Sequence, residues 1–172
     1  EQSADEDELW SDLSQAIREA CTQFVATRTT EGEHLKQDLV EKLHHMRDNV
    51  DKVEQRAPQI IAEYRSKLME KVNELLGDTQ IDEARLSTEI VLFADKICTD
   101  EETVRLKSHI TSMLNALERS EGIGRKLDFI AQEMNREANT ILSKSNDLET
   151  SDIAIELKTE IEKVREQIQN IE

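Results

Sequence analysis

The sequence predicts an all-α protein, and three observations carry that prediction. Gly, Pro and aromatic residues are scarce in its 172 residues (four Gly, one Pro, 3% aromatic), and the scarcity suits helices better than sheets or turns. Apolar residues recur at steps of three and four over long stretches, the spacing of one helix face, and no period-two alternation of consequence competes with it. Acidic starts and glycine or proline breaks punctuate those stretches at helical lengths.

The first helix is expected to start near Asp5–Glu8, where carboxylates suit the positive end of the helix dipole. It runs through Trp10, Leu13, Ile17, Ala20 and Phe24 to about Arg28, with Glu31-Gly32-Glu33 read as a bend or a tolerated glycine. A long repeat follows: Leu35, Leu39, Leu43, Met46, Val50, Val53, Ala57, Ile60, Tyr64, Leu68, Val72 and Leu75. Its spacing is that of a coiled-coil seam, so it reads as a projecting arm or hairpin of long antiparallel helices, packed against another long helix of this or another subunit. Pro58 lacks a backbone donor and crowds the preceding turn, so a kink or a split is expected there.

Gly77-Asp78-Thr79-Gln80 reads as a linker and sets the expected division into an arm, residues 1–77, and a C-terminal four-helix domain, residues 78–172. Within that domain a helix from about Asp82 to Ile97 turns Leu86, Ile90, Phe93 and Ile97 inward. Thr99 and Glu102 have capping-box spacing and open a helix that buries Leu106, Ile110, Met113 and Leu117. After a Gly122/Gly124 break, a helix to about Lys144 carries the stripe Leu127, Ile130, Ala131, Met134, Ala138, Ile141 and Leu142. A turn over Ser145–Thr150 precedes a last helix capped by Ser151 or Asp152, with Ile153, Leu157, Ile161, Val164, Ile168 and Ile171 inward.

The formal net charge is −16, which argues against general polyanion binding. The charge is uneven. Residues 1–12 carry six acids and no base, whereas residues 103–126 carry five bases against two acids. A nucleic-acid surface would be confined to such segments. No run of about 18 apolar residues occurs, so no membrane span is expected. Cys21 and Cys98 lack metal-ligand spacing, which fits a reduced, cytoplasmic protein. The chain opens at Glu1 rather than Met and has no secretory pattern, the look of a fragment or processed product.

Opposite the apolar stripe of the helix after Gly124 lie Arg125, Phe129, Gln132, Arg136 and Ser143. An aromatic ring between two guanidinium groups is not what a plain amphipathic helix needs. Phe129 could stack a splayed base while the arginines hold phosphate, as in single-stranded RNA recognition. Equally, Phe129 could anchor a subunit contact with the arginines paired across it.

Several motifs on these helices resemble the YicC/YloC family of bacterial proteins. They are Gly124-Arg125-Lys126-Leu127-Asp128-Phe129, Glu133-Met134-Asn135-Arg136-Glu137-Ala138-Asn139-Thr140 and Ser143-Lys144-Ser145, with the ending Glu156-Leu157-Lys158, Ile161-Glu162-Lys163 and Arg165 to Glu172. The resemblance is strong over residues 82–172, and Leu142 departs from the small residue expected between two motifs. It implies a cytoplasmic, stress-associated, divalent-metal-dependent endoribonuclease that forms hexamers and acts in RNA turnover. It also implies a further N-terminal region in full-length members.

Metal-assisted phosphodiester hydrolysis needs oxygen ligands, an activated water and a cationic cradle. Expected metal ligands are Glu102, Glu133 and Glu137, two of them one turn apart on one flank. His109, Glu137 and Asn139 are the expected catalytic groups, as proton carriers or to position a water or a ribose hydroxyl. Arg105, Arg125, Lys126, Phe129, Arg136 and Lys144 are the expected RNA contacts. On spacing alone the same acids and lysines describe a solvated helix face, and His109 a half-buried histidine bonded to a neighbouring helix. The competing function is a non-catalytic RNA-binding adaptor that recruits or regulates another ribonuclease.

Overall fold

The computed structural model describes residues 6–76, 82–119 and 123–171, and these form five α-helices. They are α1 (Glu6–Leu76), α2 (Glu83–Ile97), α3 (Asp100–Leu117), α4 (Gly124–Lys144) and α5 (Leu148–Ile168). No strand occurs among the described residues, so the all-α expectation holds. The expected linker Gly77-Asp78-Thr79-Gln80 and the Gly122 half of the glycine break lie outside the described residues.

Residues Glu1–Leu39 and Val40–Glu172 are separate compact units. In the first, α1 carries Leu9, Trp10, Leu13, Ile17, Phe24 and Val25 exposed. Gly32 is a tolerated glycine within one continuous helix, not a bend.

The second unit is a four-helix bundle whose ring order follows from its polar contacts. Lys107 on α3 bonds Asp51 and Glu54 on α1 at 2.5 and 2.6 Å, and Arg47 donates to Thr111 at 2.6 Å. Rising numbers on α1 meet falling numbers on α3, so the two are antiparallel. Arg105–Glu137 and Lys144–Glu102 pair α3 with α4 in the same antiparallel sense. Asn135–Glu162 and Arg165–Asp128 pair α4 with α5. Arg56–Asp147 and His45–Glu156 close the ring between α1 and α5.

Inside this ring lie Leu43, Met46, Val50 and Val53 of α1, each at most 1% exposed. With them are Leu106, Ile110 and Met113 of α3, Leu127, Met134 and Ile141 of α4, and Leu157, Ile161 and Val164 of α5. Full burial of such a side chain is worth about 1.5–3 kcal/mol, so this stripe-on-stripe packing holds the unit together. Leu142 departs from its stripe and is half-buried.

The bundle differs from the expected arrangement in membership. The middle of α1 supplies one of its four helices, and α2 stays outside with no buried residue. The α2 helix lies against the later part of α1, where Tyr64 and Phe93 stack with ring centroids 3.7 Å apart and Tyr64 donates to Glu89.

Three local expectations are corrected. Pro58 does not split α1, which stays helical to Leu76. Pro58 is exposed, so water can replace the hydrogen bond its ring nitrogen cannot donate. Thr99 is the N-cap of α3 but makes no side-chain cap, its ψ of 15° lying outside the extended range of a capping residue, and the Glu102 carboxylate goes to ion pairs with Arg105 and Lys144. The last helix starts at Leu148, capped by Asp147 rather than Ser151 or Asp152. The Asp147 carboxylate accepts from the Thr150 backbone N–H at 3.0 Å and from its hydroxyl at 3.1 Å.

Asp147 also receives Arg56 at 2.8 Å, and Arg56 reaches Glu63 at 2.6 Å and Glu149 at 3.2 Å. The Glu63 and Asp147 hydrogen bonds raise the Arg56 pKa. The same guanidinium holds both carboxyls below their ordinary range. This clamp ties α1 to the start of α5 and anchors one end of the bundle.

Candidate functional site

The helix register brings four of the expected site residues into one network along the α3–α4 seam. Arg105 Nε donates to Glu137 Oε1 at 2.9 Å, Nη2 to Glu102 Oε1 at 3.2 Å and Nη1 to Glu101 at 3.0 Å. Lys144 Nζ donates to both Glu102 oxygens and to the Cys98 carbonyl, each at 3.0 Å. The carboxylates are the buried partners, with side chains 6% and 7% exposed for Glu102 and Glu137, while Arg105 is 45% exposed. Burial works against the Glu102 carboxylate, but the Lys144 ammonium and the Glu102 backbone N–H outweigh it and hold its pKa below the ordinary value. Arg105 is held more strongly protonated by Glu137 and Glu101.

Glu133 and His109 each lie one turn along from this network, on α4 and α3 respectively, and both are half-buried. Since Arg105 faces Glu137 in an antiparallel pair, the same register sets His109 opposite Glu133. Glu133 is met by Arg136 at 3.8 Å. Lys126 extends the flank toward the start of α4 and is exposed. Asn139 is not brought to the seam: it is exposed and sits toward the far side of α4.

The expected ligands Glu102, Glu133 and Glu137 do not form a metal cradle in this arrangement. Two of the three are bound to Arg105 or Lys144. Among the described residues no group of three or more His, Cys, Asp or Glu side chains is placed to hold a metal ion.

The other expected contacts occupy a separate surface of α4. Phe129 is 63% exposed, the Arg136 side chain is 76% exposed, and Arg125 is exposed. They lie about a quarter turn outward from the seam. Sequence reasoning missed Glu101 and the Cys98 carbonyl as partners. The spacing of Glu101 and Arg105, four apart on one helix, was a readable signal. The carbonyl at the α2–α3 junction gave none.

The fold and site define an all-α protein with a four-helix core, an ion-paired polar seam and a cationic outer helix face. A family model described as Endoribonuclease YicC-like, C-terminal, matches residues 53–172, and the chain belongs to that family. A Clostridioides difficile (strain 630) protein named Probable endoribonuclease YicC is 43% identical over 173 residues, spanning 100% of this chain and 59% of its own length. A Haemophilus influenzae protein of the same name is 37% identical over 171 residues, spanning 99% of this chain and 59% of its own. The chain thus spans about three-fifths of the length of these curated relatives. Among the described residues no helix is long and apolar enough to cross a membrane.

Proposed function

We propose that this chain carries the phosphodiester-cleaving part of a divalent-metal-dependent endoribonuclease. It would act on RNA within a bacterial, cytoplasmic homo-oligomer, hexameric as the family resemblance implies, in RNA turnover and stress response. The observation that supports this reading is the Glu102–Arg105–Glu137–Lys144 network in a chain of an endoribonuclease family. Arg105 is exposed enough to exchange a carboxylate for a phosphate oxygen, and the exchange would release Glu137 as a general base or acid. His109, one turn away, is the second proton carrier. Lys126 and Lys144 add positive charge to the phosphate path. A divalent cation, proposed on the resemblance, would need Arg105 and Lys144 to release Glu102 and Glu137 before these and Glu133 could serve it. The exposed stripe of Trp10, Leu13, Ile17 and Phe24 supports self-association.

The test is cleavage of a labelled structured RNA by the highly purified chain and by the full-length Clostridioides difficile relative, with and without excess chelator. The expected outcome is metal-dependent cleavage, reduced at least about a hundredfold in Glu137→Ala and His109→Ala. Undiminished cleavage in both variants would remove the seam from the mechanism.

A second reading is an adaptor that binds RNA and recruits or regulates another ribonuclease. The ion pairs of Glu102 and Glu137 favour it, since Arg105 holds both carboxylates and Lys144 holds Glu102 as well. A co-purifying nuclease that accounts for all cleavage would establish this reading instead.

A further inference from the structure

We propose that the outer face of α4 is a track for single-stranded RNA, with Phe129 as its base-stacking platform. The proposal rests on the reading of the chain as an RNA-acting protein and names the form of RNA that this face takes.

At about 100° per residue, Arg125, Phe129, Gln132, Arg136, Asn139, Thr140 and Ser143 share the side of α4 turned away from the bundle core. In a chain with 38 acidic residues, this face carries no carboxylate from one end to the other. The nearest acids sit at its two margins. Asp128 is bonded to Gln132 at 2.7 Å and to Arg165 at 3.5 Å, and Glu133 is 3.8 Å from Arg136. The cations are available. Arg125 and Lys126 have no ion pair or hydrogen bond among the described residues, and the Arg136 contact is long and solvent-exposed. No acidic residue occupies the first turn of α4.

Phe129 decides between forms of RNA. The Phe129 ring is 63% exposed and so open to stacking, and its neighbours on this face are polar or cationic rather than apolar. A nucleobase needs one flat ring with charge alongside for its phosphates, and Phe129 between Arg125 and Arg136 offers both. Bases in a duplex are already stacked and cannot reach the ring, so the ring selects single strands. From Arg125 to Ser143 the track is about 27 Å long at 1.5 Å per residue. That length takes about four nucleotides, the small end of single-strand site sizes. The polar amides and hydroxyls between the arginines offer hydrogen bonds without a fixed pattern, so binding is tolerant of sequence.

The experiment measures fluorescence anisotropy of a labelled oligouridylate, a labelled oligoadenylate and a blunt RNA duplex with the whole 172-residue chain, in excess chelator so that cleavage does not interfere. Single strands are expected to bind more tightly than the duplex. Phe129→Ala should weaken single-strand binding about tenfold, Phe129→Tyr should restore it, and Phe129→Leu, apolar but ringless, should not. Arg125→Gln with Arg136→Gln should reduce the slope of log affinity against log salt by about 1.4. Equal affinity for duplex and single strand, or single-strand affinity unchanged in Phe129→Ala, would overturn the proposal. So would a change of oligomeric state in Phe129→Ala with RNA affinity intact, which would make this face a protein contact. The cleavage reading fails separately: Phe129-dependent binding with no cleavage by the chain or its full-length relative leaves the track standing.

Discussion

Two stretches of α1 carry the same repeat and meet different fates. Trp10, Leu13, Ile17 and Phe24 recur at helical spacing and are 50–66% exposed. Leu43, Met46, Val50 and Val53 recur at the same spacing and are at most 1% exposed, enclosed with α3, α4 and α5. Periodicity says which face of a helix is apolar. It does not say whether this chain supplies the cover.

The largest expected effect tests that difference directly. Leu43→Ala should destabilise the bundle by about 2–5 kcal/mol in urea denaturation, through lost burial and the cavity left behind. Phe24→Ala should shift stability by no more than about 0.5 kcal/mol. An equal loss at Phe24, with a midpoint that rises with protein concentration, would show that a second chain covers the first stripe in solution.

Acid should strike the Val40–Glu172 unit, where the buried stripe and the ion-pair clamps reside. Glu63, Asp147 and Glu102 have folded pKa values below the ordinary 4.5, 3.8 and 4.5. The folded chain therefore binds their protons later on acidification than the unfolded chain does. Their contribution is intact above the ordinary values and is lost as pH falls through the lower folded values. Denaturation midpoints measured from pH 7 downward should hold to about pH 5 and then fall. Arg56→Gln should flatten that fall, because Glu63 and Asp147 then lose the partner that lowers them.

A smaller effect is expected at Asn49, a fully buried polar side chain within the covered stretch of α1. Its Oδ1 accepts from Lys52 at 2.9 Å, while its Nδ2 has no hydrogen-bond partner. An unsatisfied buried donor costs about 1–3 kcal/mol, so Asn49→Leu should stabilise the unit by about 1 kcal/mol in the same assay. Destabilisation would show that the amide serves packing or register.

Two glycines give the smallest contrast. A Cβ at Gly32 meets nothing within 4 Å, so Gly32→Ala should add about 0.5–1 kcal/mol of helix stability. A Cβ at Gly124 lies 3.0 Å from the Ile171 carbonyl oxygen, so Gly124→Ala should gain nothing and should loosen the C-terminal residues, measured by hydrogen exchange at Ile171. That close approach connects two motifs that the sequence carries far apart.

Much of the site was visible one helix at a time. The flank of Lys126, Glu133, Glu137 and Lys144 and the face of Arg125, Phe129 and Arg136 follow from helical geometry, as does the nearness of Glu102, Arg105 and His109. Their pairing did not. Lys144 is bound to Glu102 across 42 positions and Arg105 to Glu137 across 32, and the antiparallel register of α3 and α4 sets both. Asn139 shows the opposite error, since membership in a motif did not bring it to the seam.

The sequence by itself determined the helices, their apolar faces and the acid-free stripe of α4, because backbone periodicity and side-chain chemistry are local properties. It did not determine that α1 would pass unbroken through Gly32 and Pro58, that its middle would complete the bundle while α2 stayed outside, or that Asp147 would cap α5 and clamp Arg56. Those outcomes turn on which apolar stripes bury one another and which charges meet across helices, and both depend on the packed whole.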